Sequence, residues 1–400
     1  MVKKKVRRLK RAGKILVGCG VLLLMLVVFT GYYCLSNFSL FSSPDKDLKN
    51  VKMVEVIEKY PKKYSFDLFM VGDALIHSAI YEDALLSDGS YDFKPMLEYI
   101  KPISSKYDLA YYNQETILGG KKLGYSNYPR FNSPDEVGDA FIDAGFNLVS
   151  LATNHTMDKG EEGVLNSVNY WSNQKDVVWD GQRSSQEERD KVRVYECNGI
   201  KYAFFSYTTW TNGLETPVGK EYLNNVYSPE KAKNDIDKVK DKVDVIIVAM
   251  HWGVEYSMDV SSEQEGIANY LASLGVNLII GSHPHVVEPV QYINDGKTLV
   301  IYSLGNFISD QVGTERLTGL MMEVTINKVE TKEGTVVTVD NPKAELIYTD
   351  SSYSSKRNFK VYPYSKLDDS ILPNYMSYYN EYKNIVSSRY SDLVWGLSRS

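Results

Sequence analysis

The chain has 400 residues, 43% apolar and 24% charged, the balance of a globular protein with a real core and appendages. Its formal net charge is −6, but the first 34 residues hold eight Lys/Arg and no acid, leaving 37 basic against 51 acidic residues in the remainder. A body that acidic excludes general nucleic-acid binding, which needs cations to displace phosphate counterions, and three cysteines exclude a disulfide framework.

Residues 1–14 form a basic tail, followed by an uncharged run from Ile15 to Leu35. At ~1.5 Å per residue such a helix crosses a hydrocarbon layer of ~30 Å. Tyr32 and Tyr33 suit the interface, and the basic tail stays cytoplasmic, so one N-terminal transmembrane helix places the body outside the cytoplasm. A cleaved signal peptide is the alternative; no small-x-small site precedes Asn37, which favours an uncleaved anchor in the cell membrane. Residues 36–63 read as a polar tether.

The body then alternates short apolar runs with helical stretches. The expected strands are Phe66–Val71, Leu109–Tyr112, Asn147–Ala152, Tyr202–Tyr207, Val245–Met250, Val276–Ile280 and Leu299–Ser303. The expected helices are Asp135–Ala144, Gly160–Gln174, Ser228–Val239 and Ser262–Leu274. This alternation predicts a layered α/β domain over 64–318. Within residues 319–350, Leu320–Asn327, Gly334–Val339 and Lys343–Thr349 alternate like an antiparallel hairpin set flanking the main sheet, a β-rich completion of the sandwich, and the Tyr-rich residues 351–400 read as a partly helical tail packed on the body. Cys197, alone in the body, reads as a small apolar residue rather than a nucleophile.

All five histidines (His77, His155, His251, His283 and His285) follow one of these strands, as do Asp73, Glu115 and Asn154. In open α/β sheets, ligands bind beyond the carboxyl ends of strands. Imidazoles, carboxylates and an amide meeting there indicate a divalent metal site of one or two ions, with Mn, Fe or Zn favoured over a purely oxygen-seeking cation. Taken singly, each has a plainer reading: Asp73 as a helix cap, Asn154-His155 as a turn. Trp252 is either a wall of the pocket or a core residue, and Asn306 either positions a polar group or makes a turn. Arg130, with Lys121 and Lys122, either meets an anionic substrate or belongs to a solvated loop.

The segments Phe69–Asp73, Asp108–Thr116, Phe131–Val137, Asn147–His155, Ala249–Tyr256, Ile280–His285 and Tyr302–Phe307 together resemble the poly-γ-glutamate capsule synthesis (CapA) family. That family is similar in turn to the calcineurin-like metallophosphoesterases. The resemblance implies an α/β/β/α sandwich with a metal centre at the strand ends. It implies that Asp73 and His285 hold one ion, that Asn154, His251 and His283 hold the other, that Glu115 bridges them, and that His155 donates a proton to the leaving group. Phosphoesterases usually have His two residues after the first Asp, where this chain has Leu75; His77 is then either a ligand or a neighbour of the site. A bridging Glu in place of Asp leaves one or two ions open. The implied function is a membrane-anchored metal-dependent hydrolase in capsule, poly-γ-glutamate or related envelope-polymer biosynthesis. Its partners would be an anionic polymer or its precursor, membrane-embedded synthase or export components, and the cytoplasmic membrane. A non-catalytic, metal-containing component of the same assembly is the other reading.

Overall fold

The computed structural model describes residues 60–351 and 355–399. The basic tail, the apolar run 15–35 and nearly all of the tether lie outside the described residues. Among the described residues no helix is long and apolar enough to cross a membrane.

Two mixed sheets form the body. The first contains β1 (Lys62–Ala74), β2 (Leu109–Asn113), β3 (Leu148–Ser150) and β4 (Val178–Asp180), parallel and adjacent in that order. The second contains β5 (Tyr195–Cys197), β6 (Ile200–Thr208), β7 (Val245–His251), β8 (Leu278–Ser282), β9 (Val290–Ile293) and β10 (Thr298–Ile301), in the order β5-β6-β7-β8-β10-β9. The first sheet is completed by β11 (Asn306–Ile308), β12 (Thr318–Glu330), β13 (Thr335–Asp350), β14 (Lys360–Pro363) and β15 (Val394–Trp395).

Strand periodicity explains the layering. Every residue of β7 is buried. Val245, Ile247 and Ala249 enter a core shared with Phe66, Leu68 and Met70 of β1, while Ile246, Val248 and Met250 face the other way. Successive side chains of a strand point to opposite faces, so each sheet has two apolar faces to cover. The inner faces cover each other. Outside the second sheet lie the helices Pro229–Val239 and Ser262–Ser273, contributing Ile236, Val239, Ala268 and Leu271. Outside the first lie the helices Glu136–Asp143 and Gly160–Ser172, contributing Val137, Phe141 and Trp171. Local chemistry starts the second-sheet helices: Ser228 caps Lys231 ahead of Pro229, and Ser261 with Gln264 forms a capping box.

The region after Gly319 joins the first sheet: β12 pairs antiparallel with β1, from Lys62 opposite Glu330 to Met70 opposite Met322. Its Leu320, Met322, Val324 and Ile326 are core residues between the sheets. The stretches expected as two strands, 334–339 and 343–349, are one strand, β13, with a register shift opposite Glu323–Thr325. Asn341, at a φ of 52°, and Pro342 fall in this bulge; the same residues read as a turn in sequence because Asn favours left-handed backbone and Pro lacks an N–H.

The chain crosses from one sheet to the other between β10 and β11, and this crossing sets up the site. The Leu304 N–H donates to the Gly281 carbonyl at 3.1 Å and the Asp73 N–H to the Gly305 carbonyl at 3.0 Å. Only glycine permits so close an approach. A Cβ on Gly72 would lie 1.8 Å from the Gly305 oxygen, and one on Gly281 1.8 Å from the Tyr302 oxygen. The carboxyl ends of β1 and β8 are thereby held side by side.

Candidate metal centre

Each strand ending at this edge delivers one polar group into a dry interior. Asp73 closes β1, Asn113 closes β2, and His251 closes β7. Glu115, Asn154, His283 and His285 follow β2, β3 and β8, and all are buried. Two groups of ligand-type atoms, Asp73/Glu115/His285 and Glu115/His251/His283, each lie within 4.8 Å of one another and share Glu115. His283 and His285 have φ of 98° and 60°, a conformation that costs ~1–3 kcal/mol per residue and persists where the surroundings enforce it.

Hydrogen bonds orient the donors. Asn306 spends its Nδ2 on Gln311 Oε1 at 3.0 Å and the Arg316 carbonyl at 2.8 Å, so its Oδ1 faces His285 Nδ1 at 3.0 Å and His285 Nε2 is left for the centre. Asn154 likewise donates Nδ2 to Asn212 Oδ1 at 3.3 Å, turning its own Oδ1 to His251 Nε2 at 2.9 Å. His251 Nδ1 meets Ser282 Oγ at 3.0 Å, and its Nε2 meets His283 Nδ1 at 3.1 Å. Asp73 Oδ1 accepts from Asn113 Nδ2 at 2.8 Å, and its Oδ2 accepts from the His283 N–H at 3.2 Å.

Burial drives the titration of these groups. It holds His251 well below its usual value and lowers His283 to about 3, with the neighbouring imidazoles adding to both effects. Burial also lowers His285, but the Glu115 and Asp73 carboxylates outweigh it and raise that imidazole to about 9. Glu115 is pushed well above the carboxylate range by burial, and neither of its oxygens has a hydrogen-bond partner. A buried carboxylate without partners costs several kcal/mol, roughly, unless a cation meets it. The set of imidazoles, carboxylates and an amide oxygen therefore fits divalent metal binding, with Glu115 common to both groups.

His155 stands beside the cluster. Its Nδ1 pairs with Asp158 Oδ2 at 2.7 Å, its ring lies edge-on to Phe131 at 4.7 Å, and its Nε2 is unengaged by described residues. His77 joins neither ligand group: its ring packs on Phe131 at 5.4 Å, the Asp310 N–H donates to its Nδ1, and burial lowers it to about 4. Trp252 corrects the pocket-wall expectation. It is wholly buried under the second sheet, donating its indole N–H to the Tyr302 carbonyl at 2.9 Å. Arg130 is exposed, next to Phe131. Lys121 and Lys122 line a separate surface cavity with Asn166 and Tyr170. Sequence reasoning missed Asn113, Asp158 and Ser282 as orienting residues; only Asp158, three residues after His155, had a local signal. Cys197 is half-buried and burial raises its thiol to about 11, as an unreactive residue should be.

The model of the bacterial capsule synthesis protein family PGA_cap matches residues 67–311, more than half of the chain and all of the strand-end groups just described. The chain belongs to this family. Among curated relatives, the PGA biosynthesis protein CapA of Bacillus subtilis (strain 168) is 27% identical over 296 residues, covering 70% of this chain and 73% of that protein. The capsule biosynthesis protein CapA of Bacillus anthracis is 26% identical over 263 residues, covering 63% of this chain and 62% of that protein, just under two thirds of its length. Solved structures similar to this PGA_cap chain include a calcineurin-like phosphoesterase from Bacillus subtilis, 14% identical, with a TM-score of 0.44 over 71% of this chain and 91% of that one. A putative 5'-nucleotidase from Staphylococcus aureus is 16% identical, with a TM-score of 0.45 over 80% of this chain and 58% of that one.

Behind the centre of this PGA_cap member, Glu288 is wholly buried and accepts from Gln264 Nε2 at 2.7 Å, while its Oε1 has no partner. Burial pushes its carboxyl from 4.5 up to about 8. A raised carboxyl contributes stability that is complete below its unfolded value and is lost as pH rises through the folded value. Glu288→Gln is thus expected to flatten the fall in Tm between about pH 5 and pH 8 and to be more stable than wild type at pH 9 by ~1–3 kcal/mol. Parallel Tm–pH curves for the two proteins would contradict this.

Proposed function

We propose that the protein is an extracytoplasmic metal-dependent hydrolase, anchored in the cell membrane by residues 15–35, that acts on capsule polymer, poly-γ-glutamate or a precursor of such a polymer. The observation that carries this reading is Glu115, whose two buried oxygens accept no hydrogen bond and which belongs to both ligand groups. Asp73 and His285 would hold one ion, Asn154, His251 and His283 the other, and Glu115 both; Mn, Fe or Zn suits this mixture of imidazole and oxygen donors. When bound, divalent ions supply Lewis acidity and activate water at neutral pH.

The chain's own groups do the rest. Asn306 and Ser282 hold Nδ1 of His285 and His251 in one orientation, and Asp158 fixes the His155 ring so that Nε2 is the atom offered to a leaving group. Arg130, exposed next to Phe131, would be available to an anionic chain. The names of the relatives support a place in capsule or PGA biosynthesis; membrane-embedded synthase or export components would be the partners there.

His155→Ala is expected to retain the wild-type metal content and to lose ~10²–10⁴-fold in turnover on an aryl phosphodiester or a γ-glutamyl polymer. Turnover equal to wild type would remove His155 from the reaction, whereas a metal-loaded wild type without turnover, together with full complementation of a deletion strain by both His155→Ala and His283→Ala, would identify a non-catalytic component of the assembly.

A further inference from the structure

We propose that Arg316, mounted on Tyr256, is the residue that recognises an oxyanion of the substrate, a carboxylate or a phosphate group, beside the metal centre. The proposal rests on the hydrolase reading and names what that site selects.

Arg316 is tied to the centre twice. Its carbonyl accepts from Asn306 Nδ2 at 2.8 Å, and the Oδ1 of the same amide orients His285. Its guanidinium lies 4.8 Å over the ring of Tyr256, and that ring stands 5.9 Å from the His285 ring. Tyr256 is itself fixed to the histidine loop, because its N–H donates to the Pro284 carbonyl at 2.8 Å. The guanidinium is therefore positioned one aromatic ring away from an imidazole of the centre.

Its bonding is incomplete in a specific way. Nε donates to Glu315 Oε1 at 3.2 Å, while the two terminal amino groups make no hydrogen bond to any described residue. An arginine held flat on an aromatic ring loses little further entropy when it grips an oxyanion with two parallel N–H bonds. Arg130, by contrast, is exposed and has no described side-chain partner to hold it in place. The surroundings also call for a local cation. Asp73 and Glu115 occupy the centre, Glu255 is next to Tyr256, and the body is acidic overall, so an anionic substrate would otherwise meet mostly like charge.

The test uses the detergent-solubilised full chain loaded with Mn²⁺, with inorganic phosphate and a short γ-linked glutamate oligomer as calorimetric probes. Arg316→Gln is expected to bind at least one probe about 10–100-fold more weakly than wild type at unchanged metal content. Arg316→Lys, which keeps charge but loses the planar fork, should fall between. Loss confined to the oligomer assigns the group as carboxylate; loss on phosphate assigns it as phosphate. Equal affinities of wild type and Arg316→Gln for both probes overturn the proposal, as does a metal-loaded wild type that binds neither. Failure of the hydrolase reading is seen separately, in wild-type metal content and turnover.

Discussion

Glu115→Gln is expected to abolish metal-dependent stabilisation while leaving the metal-free protein as stable as wild type or more so. The two effects have opposite signs because Glu115 is a burden without a cation and a shared donor with one. Its carboxylate oxygens are buried without a hydrogen bond, and the nearest cationic group, His285 Nε2, stands 3.6 Å from Oε1. Burial raises its carboxyl well above 4.5, so in chelator the wild type loses stability as pH climbs above that value, and the neutral amide does not. Removing an unsatisfied buried charge of this kind gains ~1–3 kcal/mol. A cation at one thousand times its dissociation constant stabilises the folded state by ~4 kcal/mol, and Glu115 belongs to both groups that could hold one. Thermal unfolding with chelator and with Mn²⁺, alongside elemental analysis, reads both effects. Wild-type metal stoichiometry in Glu115→Gln would falsify the shared-donor assignment.

The second large effect is structural. Gly281→Ala is expected to prevent accumulation of folded protein, because the new Cβ would sit 1.8 Å from the backbone oxygen of Tyr302 and 2.7 Å from that of Ile301. Neither atom is the end of a flexible side chain, so the crossing segment must move away from β8. That motion breaks the Leu304–Gly281 hydrogen bond and drags Asn306 from His285. The cost belongs with the exceptional losses above ~4 kcal/mol. Gly266→Ala is the matched control. Gly266 is exposed within the helix Ser262–Ser273, and nothing lies within 4 Å of its added Cβ. It should raise stability by ~0.5–1 kcal/mol through helix propensity alone. Chemical denaturation of both variants decides it; a soluble Gly281→Ala with a wild-type midpoint would rule out the close-approach argument.

Much of the body could be read from residue order. Strand runs such as Val245–Met250 and helix starts such as Ser228-Pro229 carry strong local signals, a β-branched apolar stretch in one case and a cap with a ring-fixed φ in the other. The site was legible for a different reason. Imidazoles are few in this chain, and all five follow strand ends. Trp252 could not be placed from sequence, because adjacency to His251 says nothing about face: successive residues at a strand end point to opposite sides, and its indole lies in the outer core. The long β13 was read as two strands because a bulge and a turn share the same residue preferences.

The order of residues by itself determined the alternation of strands and helices, the chemistry available at the strand ends and the acidic character of the body, since each depends on neighbours a few positions apart or on composition. Only the tertiary structure decided that Glu115 belongs to two groups at once, that β12 lies against β1, and that Arg316 stacks beside His285. Those relations join residues as far apart as Lys62 and Glu330, and the close approach of backbones at Gly72 and Gly281 holds the strand ends of the site together. Pairings over such separations are chosen by the packing of two sheets, which no local preference encodes.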